Sequence, residues 1–186
     1  FWFFLGPNGV GKTTLLKALL GLMKPQQGKI FLHPEWAQKN LIGFVPQRCD
    51  LNPTLPTTVS EFVLLGLAGL KTDKKDRFER LSWALEKMKL EEMKEKNYWS
   101  LSGGQRQRAL VSQALIRRPK FLTADEPTKD LDLSSANALM ESLTDLNRKE
   151  NLTILFVTHD LTLAARYCTH TALFLDGLVR TGACNV

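Results

Sequence analysis

An α/β fold, with a mostly parallel sheet and an inserted α-helical subdomain, is predicted by three observations. The chain opens on an apolar run, FWFFL, that passes through the glycine-rich GPNGVGKTT at residues 6–14 into the helix-like TLLKALLGL, which reads as strand, loop, helix. Further along, FLTA at 121–124 reads as a strand, and LTILFV at 152–157 has the continuous apolar pattern of a buried parallel strand. Between the opening and these strands, residues 48–100 change character, with turns first and helical periodicity afterwards. With 186 residues and 44% apolar content, the chain is long enough for one domain with a sizeable core.

The loop after the first strand carries the most specific chemistry. Gly6, Gly11, Lys12 and Thr13 occupy the defining places of G-x-x-x-x-G-K-[ST]. Glycines have no Cβ, so the loop of Gly6, Pro7, Asn8, Gly9, Val10 and Gly11 can curl and turn the N–H groups of its non-proline residues inward, and a polyphosphate suits such a nest. The amides and dipole of the following helix, from Lys12 through Thr14, add to that attraction. Lys12 supplies a point charge for the β and γ phosphates, and Thr13 a hydroxyl for Mg²⁺. An ordinary glycine-rich turn would account for none of the lysine, the hydroxyl or their spacing.

The remaining elements follow in order. Pro25 and Gly28 mark a turn, after which KIFL at 29–32 and LIGFV at 41–45 read as short strands, the second ending at Pro46-Gln47. Thr58 with Glu61 forms a capping box for a helix through FVLLGL. Phe78, Leu81, Leu85 and Met88, spaced three, four and three apart, give a second helix one core-facing stripe. In LSGGQ at 101–105, Ser102 caps another helix while Gln105 reaches back, and Gly103 and Gly104 let a ligand approach the backbone. The strand at 121–124 delivers Asp125 and Glu126. Ser134 or Ser135 then caps a helix with Leu139, Leu143 and Leu146 as its apolar stripe. LTILFV delivers Thr158, His159 and Asp160, and ALFLDG with LVRTG reads as a closing hairpin. An acidic pair is commonly surface charge, a glutamine after a strand a loop residue, and a lone histidine a structural one. Context alone gives them roles.

Composition bounds the rest. A net charge of +6 favours contact with anionic surfaces, but pairs such as Lys74-Lys75 and Arg117-Arg118 read as solvated helix faces, so charge supports no nucleic-acid function. Cys49, Cys168 and Cys184 are odd in number and lack C-x-x-C spacing, so reduced thiols in a cytosolic protein are expected. His33, His159 and His170 have no metal-ligand spacing, and no structural zinc site is expected. The longest apolar run, 62–70, holds Gly66 and Gly69 and is too short to cross a bilayer. The opening lacks a basic flank and a cleavage site, so no signal peptide is expected.

LSGGQ, FLTADEPT at 121–128 and VTHD at 157–160, preceded by the phosphate loop, resemble the ATP-binding cassette (ABC) family, in that family's order and over nearly the whole chain. The resemblance implies one ATPase domain, 1–186, with a P-loop NTPase (RecA-like) core at 1–46 and 101–186 and a helical subdomain at 47–100. It implies ATP and Mg²⁺ as cofactors. Thr13 and Asp125 would hold the cation, Gln47 would touch cation and attacking water, Glu126 would orient and polarise that water, and His159 would hydrogen-bond the γ phosphate. Ser102, Gly103 and Gly104, with Gln105, would contact the γ phosphate bound to a second cassette packed head to tail. KDLD at 129–132 occupies the place of the loop that crosses that interface, and Lys129 and Asp130 depart from the small residues usual there. TLPTTVSEFVLLGL, with the preceding FVPQR, looks most like the cassettes of zinc, manganese and iron importers.

Family cassettes also carry strands before the phosphate loop, with an aromatic that stacks on adenine. Here the loop follows residues 1–5 directly, so those N-terminal strands are expected to be absent and nucleotide binding weaker than in a complete cassette. Trp2 is expected to be buried by packing. The implied partners are a second cassette, giving a homodimer, an integral membrane permease and, indirectly, a solute-binding protein, with no direct nucleic-acid contact. That places the chain in the cytoplasm, peripheral on the inner face of the membrane through the permease. The alternative is a soluble non-transport ABC-type ATPase acting on nucleic acid or ribosomes. A chromosome-maintenance member would need a long coiled coil between Gln47 and Leu101, where no heptad run fits, and a translation-associated one would carry two cassettes. A kinase or GTPase would share the loop but have no use for LSGGQ.

Overall fold

Alternate residues of the apolar runs face opposite ways, which requires a sheet covered on both sides. The computed structural model, which describes residues 1–34, 41–47, 49, 56–175 and 177–184, contains that sheet. Its strands are β1 (Trp2–Leu5), β2 (Ile42–Val45), β3 (Phe121–Asp125), β4 (Thr153–Thr158), β5 (His170–Leu175) and β6 (Leu178–Ala183). They lie in the order β2-β3-β4-β1-β5-β6, with every pairing parallel except the β5–β6 hairpin. The α/β class and mostly parallel sheet are as the sequence predicts. All residues of β3 are buried, Thr123 included, whose hydroxyl donates to the Gly43 carbonyl of β2.

Two apolar layers sandwich the sheet. Phe3, Ile154 and Phe156 face one layer with Leu139, Leu143 and Leu146 of α5 (Leu133–Glu150). Phe4, Leu155 and Val157, each one position along, face the other with Leu16 of α1 (Lys12–Leu19). Each such leucine or phenylalanine contributes about 1.5–3 kcal/mol on burial. The helices between β2 and β3, α2 (Val59–Leu64), α3 (Lys74–Lys87) and α4 (Gly103–Leu115), join the first layer through Phe62, Leu85 and Leu115. Capping boxes start α2 and α4 as predicted, from Thr58 with Glu61 and from Ser102 with Gln105. The last helix, α6 (Leu161–Tyr167), is capped by Asp160.

Several expectations are corrected. Residues 29–32 form no strand, and Phe31 is 87% exposed, because no described strand lies beside them to complete a ladder. Phe78 is 68% exposed: it shares a stripe with buried Leu85 and Met88 but lies two turns earlier, past the end of the covered face. Neither Ser134 nor Ser135 caps α5; Asp132 does, accepting from the Ser135 amide and hydroxyl, since a carboxylate reaches both donors. Trp2 is only half-buried and stacks on His170 across the β1–β5 pair. Cys168 and Cys184 form a disulfide, leaving Cys49 as the free thiol. The antiparallel hairpin sets His170 opposite Ala183, which brings the flanking cysteines together across 16 positions of sequence. Arg48, residues 54–55 and Asp176 of the segments read above lie outside the described residues.

Candidate nucleotide site

Strand register assembles the site. Phe4 of β1 pairs with Val157 of β4, and Val157 pairs with Asp125 of β3, so all three strands end level. The phosphate loop, the Asp125-Glu126 pair and the Thr158-His159-Asp160 turn therefore leave the sheet side by side at its carboxyl edge. Val45 pairs with Ala124, which sends Gln47 out at the same edge. Open parallel sheets bind ligands at such an edge.

The loop is curled around its own lysine. Lys12 is buried, and its ammonium donates to the carbonyls of Gly6 at 2.7 Å and Pro7 at 2.9 Å. Pro7, Asn8, Gly9 and Thr14 are exposed around it, while Val10 packs inward on the second apolar layer. Gly6 is required at its position, because a Cβ there would press on the Phe174 carbonyl at 2.7 Å. Gly11, at φ 101°, precedes α1 without a side-chain cap, so the first amides of that helix are left to another acceptor.

Beside the loop, the Thr13 hydroxyl lies 3.1 and 2.9 Å from Oδ1 and Oδ2 of Asp125 and donates to that carboxylate. Burial pushes the Asp125 carboxyl above its ordinary value of 3.8; the Thr13 hydrogen bond opposes this and the Glu126 charge adds to it. Glu126 is buried and holds a left-handed backbone at φ 46°, uncommon outside glycine, fixed by its amide donating to the Val157 carbonyl. His159 Nδ1 lies 3.3 Å from Glu126 Oε1; since a carboxylate only accepts, this is a hydrogen bond when Nδ1 carries the proton. The turn that presents His159 is held by Asp160, whose carboxylate accepts from the amides of Thr162 and Leu163. On the other side of Glu126, Lys129 Nζ stands 3.5 Å from Oε2, an ion pair by distance without hydrogen-bond geometry.

Gln47 is exposed and lines a cleft of about 300 Å³ together with Glu126, Lys129 and Gly103 at the start of α4. No residue of the phosphate loop lines that cleft. Ser102 and Gly103 are exposed and Gln105 is half-buried, whereas Gly104 is buried against Ser135, whose side chain a Cβ at Gly104 would overlap. Sequence reasoning missed the contact of Lys129 with Glu126 and the packing of Gly104 on α5. The departure of Lys129 from the small residues usual at its place was the only signal of the former.

Phosphate loop, buried lysine, hydroxyl-carboxylate pair and parallel sheet together define a P-loop nucleoside triphosphatase. The profile of the family described as ABC transporter matches residues 1–129. The zinc uptake system ATP-binding protein ZurA of Listeria innocua is 41% identical over 97% of this chain and 74% of its own length. Among solved structures, cbiO1 of Clostridium perfringens, part of the ABC transporter complex cbiONQ, matches with a TM-score of 0.86 and 30% identity, over 98% of this chain and 76% of that one. The ATP-binding cassette MJ0796, solved as a dimer in a post-hydrolysis state bound to ADP and Pi, matches with a TM-score of 0.80 and 29% identity, over 100% of this chain and 86% of that one. The chain belongs to the ABC transporter family and is an ATP-hydrolysing subunit of that family's transporters.

Proposed function

We propose that this subunit hydrolyses ATP at a site shared between two head-to-tail copies and so powers a metal-ion importer of the zinc, manganese or iron type. The observation that carries the catalytic part is the juxtaposition, at one sheet edge, of the Thr13–Asp125 hydrogen bond with the Glu126–His159 contact. Thr13 and Asp125 offer the hard oxygens that suit Mg²⁺, and Gln47 stands at the same edge; bound there, the ion would neutralise charge on the transferring phosphoryl group. Such an ion takes oxygen ligands and is commonly held by one or two protein groups together with phosphate oxygens and water, which a hydroxyl and a carboxylate at this edge fit.

Lys12 exchanges the loop carbonyls for the β and γ phosphates, and the loop and α1 amides receive the remaining phosphate oxygens. Glu126 accepts a proton from water as its oxygen attacks the γ phosphorus; the bond from that phosphorus to the bridging oxygen breaks, and ADP leaves with the electron pair. His159 contacts the γ phosphate and, through Oε1, steadies the base. Ser102 and Gly103, exposed at the start of α4, with Gly104 and Gln105, serve the nucleotide of the second copy.

In this reading residues 1–46 and 101–186 are the ATPase core and 47–100 the helical subdomain of one domain. Its further partners are a membrane permease and, indirectly, a solute-binding protein, so the subunit sits on the cytoplasmic face. Among the described residues no helix is long and apolar enough to cross a membrane, and a partner that spans it fits this assignment. The metal cargo rests on the likeness to ZurA. Glu126→Gln should lose turnover by about 100-fold or more and accumulate as an ATP-bound dimer in size-exclusion chromatography. Near-normal turnover would remove Glu126 from its role. Co-purification with ribosomes or DNA instead of a permease would favour the non-transport reading.

A further inference from the structure

Glu126 is a carboxylate that the fold buries, at 9% exposure, next to a second buried carboxylate, Asp125. A charge in that position needs a compensating partner and a fixed rotamer. Oε1 faces His159 Nδ1 at 3.3 Å, but Oε2 is shut off from solvent and makes no hydrogen bond. Lys12, the cation of the phosphate loop, is committed to the carbonyls of Gly6 and Pro7. Among the described residues the cation at Oε2 is Lys129, 3.5 Å away. Its place is set by the backbone, because the Lys129 amide donates to the Glu126 carbonyl at 3.2 Å and closes the turn that follows the base. The lysine side chain is 37% exposed, so its ammonium keeps part of its hydration while it meets a carboxylate that has lost most of its own.

We propose that Lys129 is a positioning residue for hydrolysis: its ammonium holds Glu126 by Oε2 and so keeps Oε1 turned toward His159 and the attacking water. This rests on the reading of Glu126 as the water-orienting base. A serine or alanine at 129 is too short to reach Oε2, and the carboxylate would then be free to rotate away from His159. The contribution therefore belongs to the chemical step and not to ATP binding, which the phosphate loop carries out on the other side of Asp125.

The test compares Lys129→Met, which keeps the stem and removes the charge, with Lys129→Arg, which keeps the charge. With ATP and Mg²⁺, the methionine variant should lose about tenfold in kcat with KM for ATP unchanged within twofold, while the arginine variant stays within about threefold of the parent. In a Glu126→Gln background the methionine substitution should have no further effect. In the nucleotide-free chain, the ring-nitrogen NMR signals of His159 should move on Lys129→Met while those of His33 and His170 stay. Unchanged kcat, an equal loss in the Glu126→Gln background, or an unmoved His159 signal would each overturn the proposal. Full turnover by Glu126→Gln alone would instead remove the reading of the base, so the two failures are distinguishable.

Discussion

Asp125 and Glu126 are neighbours in sequence, yet the fold treats them differently. Asp125 ends a strand and accepts from Thr13, while Glu126 turns off the sheet at φ 46° between an imidazole and an ammonium. Asp125 carries a measurable consequence of its burial. Because its folded-state value is raised above 3.8, the stability it contributes is present below 3.8 and lost as pH rises through the raised value. Asp125→Asn keeps an oxygen for the Thr13 hydroxyl and has no charge to bury. Thermal melts of the nucleotide-free chain should therefore place the asparagine variant above the parent at pH 7, with the gap closing as pH falls toward 3.8. A constant gap across that range would show that desolvation of the charge is not the cause.

At the level of elements, the approach of α4 to α5 depends on one missing Cβ. Gly104 faces the Ser135 side chain in the first turn of α5, and Ser135 is itself held by the Asp132 cap. Gly104→Ala should cost about 1–3 kcal/mol through overpacking, despite the better helix propensity of alanine. Adding Ser135→Gly removes the atoms in the way, so denaturant melts of the double variant should recover part of the loss. Additive losses would argue against the contact. The same packing explains why the two glycines of LSGGQ differ: Gly103 has open space around it, and Gly104 does not.

Across the whole molecule, two long-range links tie the parts together. Lys87 at the end of α3 meets Glu150 at the end of α5 at 2.5 Å, joining the helices inserted after β2 to the helix beneath the sheet. The hydrogen bond to Glu150 raises the Lys87 ammonium above its ordinary value. The Cys168–Cys184 disulfide closes the final hairpin onto the end of α6. Thiol alkylation of the unreduced, unfolded chain should label Cys49 alone, and reduction should release two further thiols. Reduction should also lower stability by up to about 3 kcal/mol for a loop of this length. Labelling of three thiols without reductant would contradict the cross-link.

The elements around the site were legible because their signals are local. The phosphate loop, the capping boxes at Thr58 and Ser102 and the buried strand β4 each depend on residues within a turn or two of one another. Ser134 or Ser135 was misread as the cap because Asp132, earlier in the chain, starts the helix and takes the Ser135 amide into its first turn. Phe78 was misread as core because a helical stripe says which face is apolar but not how far its cover extends. By itself the sequence determined the α/β class, the strand-loop-helix that suits a triphosphate, and the residues available for its chemistry. Only the tertiary structure decided that Thr13 meets Asp125, that Glu126 lies between His159 and Lys129, and that two distant cysteines join. The Thr13–Asp125 and Glu126–His159 contacts are set by the register of parallel strands far apart in the chain, the disulfide by the antiparallel hairpin and the Lys129 contact by the turn after β3. All of these follow from how the whole core packs.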